Sequence, residues 1–154
     1  MRPAALLPFA LLTSLAYAGP KRITTFADMM KSLESDSNVR VVFHYAKLKL
    51  TSEGKEVPAP DAIGGMTLDN WEYFAPGVVR NKLGYLATSQ TVLIAHPGYG
   101  TVLNYVRVRI NSDGTVQVTA RYYDPTTYKV VMDETFNGAI SNGKDANGVS
   151  LFVN

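Results

Sequence analysis

The stretch "YVRVRINSDGTVQVTARYYDP", residues 105–125, decides the fold because both of its halves alternate between apolar and polar side chains. Valines and an isoleucine share one face across residues 106–110, and residues 116–121 repeat the pattern on the other side of "NSDG". A period of two is the signature of a half-buried β-strand. Asp113-Gly114 supplies the positive φ angles that a tight hairpin needs. The stretch therefore predicts an antiparallel hairpin at the centre of a sheet.

The rest of the chain extends this hairpin into a mainly β (α+β) fold with one N-terminal helix. Residues 25–36 carry apolar side chains at helical spacing behind Thr25, a natural N-cap. Residues 51–65 contain two prolines and predict a long irregular loop. About seven or eight antiparallel strands are expected after the helix: the two halves of the hairpin and segments 41–50, 66–74, 83–88, 91–95, 128–136 and 149–153. Short strands separated by turn signals favour a curled sheet or a small barrel.

The first eighteen residues have the pattern of a secretory signal peptide. Arg2 gives a positive start, residues 4–12 form an apolar run, and Ala16-Tyr17-Ala18 places small residues at the cleavage positions. A membrane anchor is the alternative, but the run is shorter than the roughly 18–20 residues that span a bilayer. We therefore expect cleavage after Ala18, a single domain over residues 19–154, no membrane span and a secreted protein, periplasmic if the source is bacterial.

Charge and cysteine content exclude several classes of function. The chain has 15 basic and 13 acidic residues, so removing Arg2 leaves 14 against 13, a net charge of +1. A nearly neutral domain with interspersed charges lacks the basic patch that nucleic acid requires, and no nucleic-acid partner is expected. The chain contains no cysteine, which rules out disulfides, thiol catalysis and thiolate metal sites.

No catalytic or metal-binding motif stands out in the sequence. His44 and His96 are the only histidines, and neither has a partner at metal-ligand spacing. Residues 143–148 match part of a calcium-binding loop, but the first ligand position is Gly143 and the closing position falls on Asn154, which is not a carboxylate. We predict no catalytic residue, no metal and no cofactor from the pattern, and we interpret residues 143–148 as a turn.

Aromatic residues are the strongest candidates for a binding surface. The candidates lie near the start of the predicted sheet or in and around the hairpin: Trp71, Tyr73, Tyr105, Tyr122 and Tyr128. Tyrosine and tryptophan on a sheet face can bind sugars, lipids or proteins. The alternative is that the same side chains fill the core and close the ends of the sheet. A binding role predicts a pocket or patch that brings Trp71 and Tyr73 together with some of the other three.

The order of segments along the chain resembles that of the VirK family of exported proteins. The resemblance rests on Gly64-Gly65, on the segment "INSDGTVQVTARYYDP" and on "FNGAI" at residues 136–140, and it covers nearly all of residues 19–154. It implies export and a compact β-rich fold. The family brings no established catalytic residues, so the resemblance implies no reaction.

Three classes of function remain open from the sequence. A secreted, non-catalytic module that binds an extracellular protein or a small ligand is favoured by the exposed aromatic residues and the near-neutral charge. A folded structural component of an extracellular matrix or coat is the alternative. A secreted enzyme is the least favoured, because it would need His44 or His96 beside an acid such as Asp61, Asp69 or Glu72. The sequence leaves the oligomeric state open.

Overall fold

The computed structural model describes residues 19–154, so the predicted signal peptide at residues 1–18 lies outside the described part of the chain. The elements follow in chain order: β1 (Lys21–Ile23), α1 (Phe26–Glu34), β2 (Val39–His44), a 3-10 turn (Tyr45–Lys47), β3 (Lys49–Ser52), β4 (Lys55–Val57), β5 (Ile63–Thr67), β6 (Trp71–Phe74), β7 (Tyr85–His96), β8 (Gly100–Asn111), β9 (Thr115–Tyr123), β10 (Val130–Ala139) and β11 (Val149–Val153). The expected mainly β fold with one α-helix is confirmed.

The strands form two antiparallel sheets rather than one curled sheet. The small sheet has four strands in the order β1-β11-β2-β5, and the large sheet has seven in the order β4-β3-β10-β9-β8-β7-β6. The predicted count of seven or eight strands after the helix is therefore too low, since residues 19–154 contain eleven strands and ten of them follow α1. In each sheet, the first and last strands of the order do not pair with each other. Both sheets are therefore open, and the strand pairing does not form the expected barrel.

Helix α1 begins where the sequence predicts it. The Thr25 hydroxyl accepts a hydrogen bond from the Asp28 backbone N–H at 3.1 Å, which satisfies one of the free donors of the first turn. Met29, Met30 and Leu33 are the buried face of the helix. They join one hydrophobic cluster with side chains of both sheets, so the helix and the sheets share a core.

Five local predictions differ from the structure. The predicted strand 66–74 is divided between the end of β5 and β6, which belong to different sheets. The 3-10 turn at Tyr45–Lys47 interrupts the predicted strand 41–50. The predicted loop 51–65 contains the β3–β4 hairpin and the start of β5. The predicted strands 83–88 and 91–95 are parts of the single strand β7. The turn between β8 and β9 has only one residue with positive φ, Gly114 at 84°, because three residues rather than two connect the strands.

The large sheet has an inner face, which packs on the core, and an outer face. Leu86, Val108 and Val118 occupy the inner face and are at most 1% exposed. Arg107 and Arg109 alternate with these residues and lie on the outer face. No helix within residues 19–154 is both long enough and apolar enough to cross a membrane.

Candidate functional site

The five aromatic residues singled out by the sequence lie in separate places. Trp71 and Tyr73 pair with Thr88 and Leu86, so they share the inner side of β6, where the Tyr73 ring lies 6.2 Å from that of Phe26 in α1. The other three residues are distributed over the outer face of β8, the distal part of β9 and the turn before β10: Tyr105, Tyr122 and Tyr128. The structure thus brings Trp71 and Tyr73 together but leaves the remaining three apart from them.

Trp71 does line a depression, together with residues that the sequence did not single out. The outer groove lies on the outer face of β6, β7 and β8, encloses about 530 Å³ and is lined by Trp71, Glu72, Phe74, Tyr85, Ser89 and Arg107 among others. Its floor is aromatic, because the rings of Phe74 and Tyr85 stack with centroids 4.9 Å apart at an interplanar angle of 19°. The guanidinium carbon of Arg109 lies 3.8 Å from the Tyr85 centroid, a cation–π contact with the same ring.

Arg107 supplies the positive charge of the outer groove. Its side chain is exposed, and no carboxylate of residues 19–154 lies within 4 Å of its guanidinium nitrogens, since Arg121–Asp133 is the ion pair found there. Glu72 lines the same groove but stands opposite Ala87, whereas Arg107 stands opposite Ser89. An aromatic floor with an unpaired cation can hold a planar or anionic group.

A second depression, the inner pocket, lies between the two sheets. It encloses about 160 Å³ and is lined by Tyr45, Gly64, Gly65, Gln90, Val92 and Asn104 among others. Gly64 leaves room for Tyr45 here, because a Cβ atom at that position would lie 2.9 Å from the Tyr45 ring and hydroxyl and would displace that side chain. The lining combines apolar surface with two carboxamides and a phenol, so it suits a small side chain or a compact group with a few polar atoms.

Tyr45 lines the inner pocket and is half-buried. Burial, and to a lesser degree the neighbouring Tyr122, raises the pKa of Tyr45 above its ordinary value. Its ring also packs against Phe136, with centroids 4.7 Å apart. The Tyr45 hydroxyl therefore stays protonated near neutral pH and can act as a hydrogen-bond donor in the pocket.

The outer groove and the inner pocket flank the same strand edge. Pairing between β6 and β7 ends at Trp71 and Thr88, while β7 continues to His96. Within residues 19–154 no strand pairs with β7 on that side beyond Thr88. We call residues 89–96, "SQTVLIAH", the open edge; Val92 and Leu93 in it are 39% and 62% exposed.

The histidines do not meet an acid in the described structure. The Nδ1 atom of His96 accepts hydrogen bonds from the backbone N–H groups of Gly98 and Tyr99 at 3.1 and 3.2 Å, which holds the turn between β7 and β8. The His96 ring also packs against Tyr99 and Tyr122, with centroids 5.0 and 5.1 Å away. Across residues 19–154, neither His96 nor His44 has a side-chain hydrogen bond or ion pair to a carboxylate. The geometry that the enzyme hypothesis needs is therefore not found in this part of the chain.

The partial calcium-binding motif lies in a turn whose polar groups hydrogen-bond to one another. The Asp145 carboxylate accepts hydrogen bonds from the Ser141 hydroxyl at 2.8 Å and from the backbone N–H groups of Asn142 and Asn147 at 3.0 and 3.1 Å. The bond from Asn142 is the main reason that the pKa of Asp145 lies below its usual value. No group of three potential metal-ligating side chains occurs within residues 19–154. Asp145 therefore stabilises the loop before β11, in agreement with the interpretation of residues 143–148 as a turn.

Over residues 19–154, two open antiparallel sheets around one core, with a single α-helix, define a small α+β protein of the mainly β kind. The chain belongs to the VirK family, because the model of the VirK protein family matches residues 22–128, more than half of the chain. The expected resemblance is thus confirmed. The matched span contains β2 to β9 and all of β1 except Lys21, and with them the open edge and every residue named above in the groove and the pocket.

A solved structure supports the fold assignment. The crystal structure of a VirK family protein from Legionella pneumophila superimposes with a TM-score of 0.65 over 85% of this chain and 98% of that protein, at 16% sequence identity. At that identity the likeness concerns the fold alone. None of the curated proteins compared with the chain matches it.

Proposed function

We propose that this VirK family member is an exported, non-catalytic binding module whose ligand lies against the open edge of β7. The observation that carries the proposal is the pair of depressions on opposite sides of one exposed strand, the outer groove of about 530 Å³ and the inner pocket of about 160 Å³. Concave sites with a few convergent polar groups on an apolar lining are typical of ligand-binding sites.

The chemistry of the two depressions supports binding rather than reaction. The outer groove offers the aromatic floor of Phe74 and Tyr85 and the cation of Arg107. Elsewhere, the aspartates whose pKa values are lowered, Asp113, Asp124 and Asp145, owe the shift to hydrogen bonds within their own turns. Such shifts reflect local structure, whereas catalytic acids are usually perturbed inside a cleft.

Export is the second part of the proposal and rests on the signal-peptide pattern of residues 1–18. Cleavage after Ala18 would release a chain that starts at Gly19, two residues before β1. The absence of cysteine is compatible with an oxidising compartment, because no thiol is available to be oxidised there.

Native mass spectrometry of the protein purified from its own source tests both parts. We expect a polypeptide mass that begins at Gly19 and an additional mass retained by the folded chain. The same measurement on Arg107→Glu and on the matched control Arg40→Glu, an exposed arginine of β2, locates the ligand. Retention that survives both changes would place the ligand elsewhere, and a mass beginning at Met1 would contradict export.

A further inference from the structure

The open edge of β7 differs from the other free edges of the two sheets. Natural sheets protect free edges by short strands, charged side chains, proline or bulges, because unpaired backbone groups recruit further strands. Glycine within a strand also weakens it. The other edges carry such features: Lys21 and Arg22 in β1, Lys55 and Glu56 in β4, Gly64 and Gly65 in the five-residue strand β5, Glu72 in β6, and a bulge between Val130 and Met132 in β10.

Residues 89–96 carry none of them. The segment "SQTVLIAH" has eight residues without aspartate, glutamate, lysine, arginine, glycine or proline. Leu93 leaves 62% of its surface exposed on the outer face, and Val92 leaves 39% exposed on the inner face. The free backbone donors and acceptors of this strand are therefore presented together with uncovered apolar surface.

We infer that the ligand of this module is an extended polypeptide segment that adds to β7 as an extra strand, with an acidic side chain over the outer groove and apolar side chains in the inner pocket. This inference rests on the proposed function and specifies its ligand. In strand addition, backbone hydrogen bonds supply affinity, and pockets for alternate side chains supply specificity.

The register of β7 explains why the ligand should be a strand. Side chains directly opposite each other in a sheet share a face. A residue paired with Ser89 would therefore point to the outer face, where Arg107 stands directly across β7 from the same position. The residues paired with Gln90 and Val92 would point to the inner face, where both of these side chains line the inner pocket. A single extended segment thus reaches both depressions with neighbouring residues.

Charge selects the side chain that faces the outer groove. Arg107 lies beside the first residue of the open edge, whereas Glu72 lies beside the part of β7 that β6 already covers. The guanidinium has no carboxylate partner within residues 19–154. A carboxylate on the added strand, opposite Ser89, would complete a charge-assisted pair there.

The available area argues against a second copy of this chain as the occupant. Eight residues of strand span about 26 Å, and a sheet is about 10 Å thick, so edge-to-edge contact buries roughly 500 Å² in total. A stable interface needs about 1,200 to 2,000 Å². A flexible peptide segment buries more surface than this edge contact alone, because its side chains also enter the outer groove and the inner pocket.

A displayed library of random decapeptides, selected on the purified protein, tests the inference. We expect the selected peptides to share an acidic residue flanked by apolar residues. Hydrogen–deuterium exchange should show slower exchange of the backbone amides within residues 89–96 when a selected peptide is bound. Arg107→Glu should weaken that peptide at least tenfold and favour a lysine in place of its acid, whereas Arg40→Glu should leave the affinity unchanged. N-methylation of alternate peptide amides that face β7 should weaken binding at least tenfold.

Three outcomes would overturn the inference. Peptides that tolerate N-methylation and leave residues 89–96 unprotected, yet weaken with Arg107→Glu, would refute strand addition while preserving the proposed groove. Protection of residues 89–96 that rises with protein concentration in the absence of peptide, with a dimer in sedimentation, would identify a second copy as the occupant. Failure to select any peptide would refute the peptide ligand, and the proposed function would also fall if the protein from its source retained no ligand in native mass spectrometry.

Discussion

Two leucines on β7 provide a stringent test of which face of this strand packs on the core. Leu86 is fully buried on the inner face, and Leu93 is 62% exposed on the outer face of the same strand. The change Leu→Ala removes the same atoms at both positions. Differences between the two variants therefore report burial rather than residue type.

The expected effects differ by about 2 to 3 kcal/mol. Transfer of the lost side-chain atoms contributes about 2 kcal/mol when the leucine is fully buried. At position 86 the unfilled cavity adds about 1 to 2 kcal/mol, giving a loss of about 3 to 4 kcal/mol for Leu86→Ala. At Leu93 a little over a third of the surface is buried. The same transfer contribution then scales to about 0.8 kcal/mol or less, and no closed cavity forms.

Urea unfolding followed by tryptophan fluorescence measures both variants, since the chain has one tryptophan. With a slope of about 2 kcal/mol per molar urea, Leu86→Ala should lower the midpoint by roughly 1.5 M or more and Leu93→Ala by at most about 0.4 M. A one-residue shift of β7 would exchange its two faces. A larger loss for Leu93→Ala than for Leu86→Ala would therefore refute the register and, with it, the positions of the groove and the pocket.

Three further variants or conditions test local features. Thr25→Ala should lower the free energy of unfolding by about 1 kcal/mol because it removes the N-cap of α1, and urea titration measures the loss. Gly114→Ala should destabilise by about 1 to 2 kcal/mol because φ is 84° there, while Gly98→Ala, where φ is not positive, should be milder; equal losses would contradict the assigned turn. Burial raises the pKa values of Tyr45 and Tyr122, so their stabilising contribution is complete below the unfolded pKa of about 10 and is lost as pH rises through the folded values. Ultraviolet titration of phenolate should accordingly show ionisation above pH 10 accompanied by a decrease in the free energy of unfolding, and ionisation of every tyrosine at the ordinary pKa would contradict their burial.

Local sequence signals predicted the elements that depend on local chemistry. The Thr25 cap and the apolar helical spacing predicted α1, and the alternation in residues 105–125 predicted the β8–β9 hairpin. The β3–β4 hairpin had a comparable signal that was missed. Glu53-Gly54 forms its two-residue turn, with φ angles of 50° and 76°, as a type I′ turn requires. The two nearby prolines led to the prediction of a loop instead.

The division into two sheets could not be predicted in the same way. Strand β10 pairs with β3 although more than 80 residues separate Phe136 from its partner Leu50. No local pattern encodes such a pairing, since it depends on how the whole chain packs. The open edge could not be predicted from the sequence for the same reason. It exists only because β6 ends before β7 does, so that the second half of β7 has no partner strand from residues 19–154 on that side.

Strand β11 has a consequence for the order in which the molecule can be assembled. It lies between β1 and β2 in the small sheet, pairing Leu151 with both Ile23 and Val41. Synthesis proceeds from the amino end, so β1 and β2 emerge long before their common neighbour and cannot complete this sheet without it. The complete small sheet therefore forms only after residues 149–153 have been made, because until then, among the described strands, β1 has no strand to pair with and β2 has only β5.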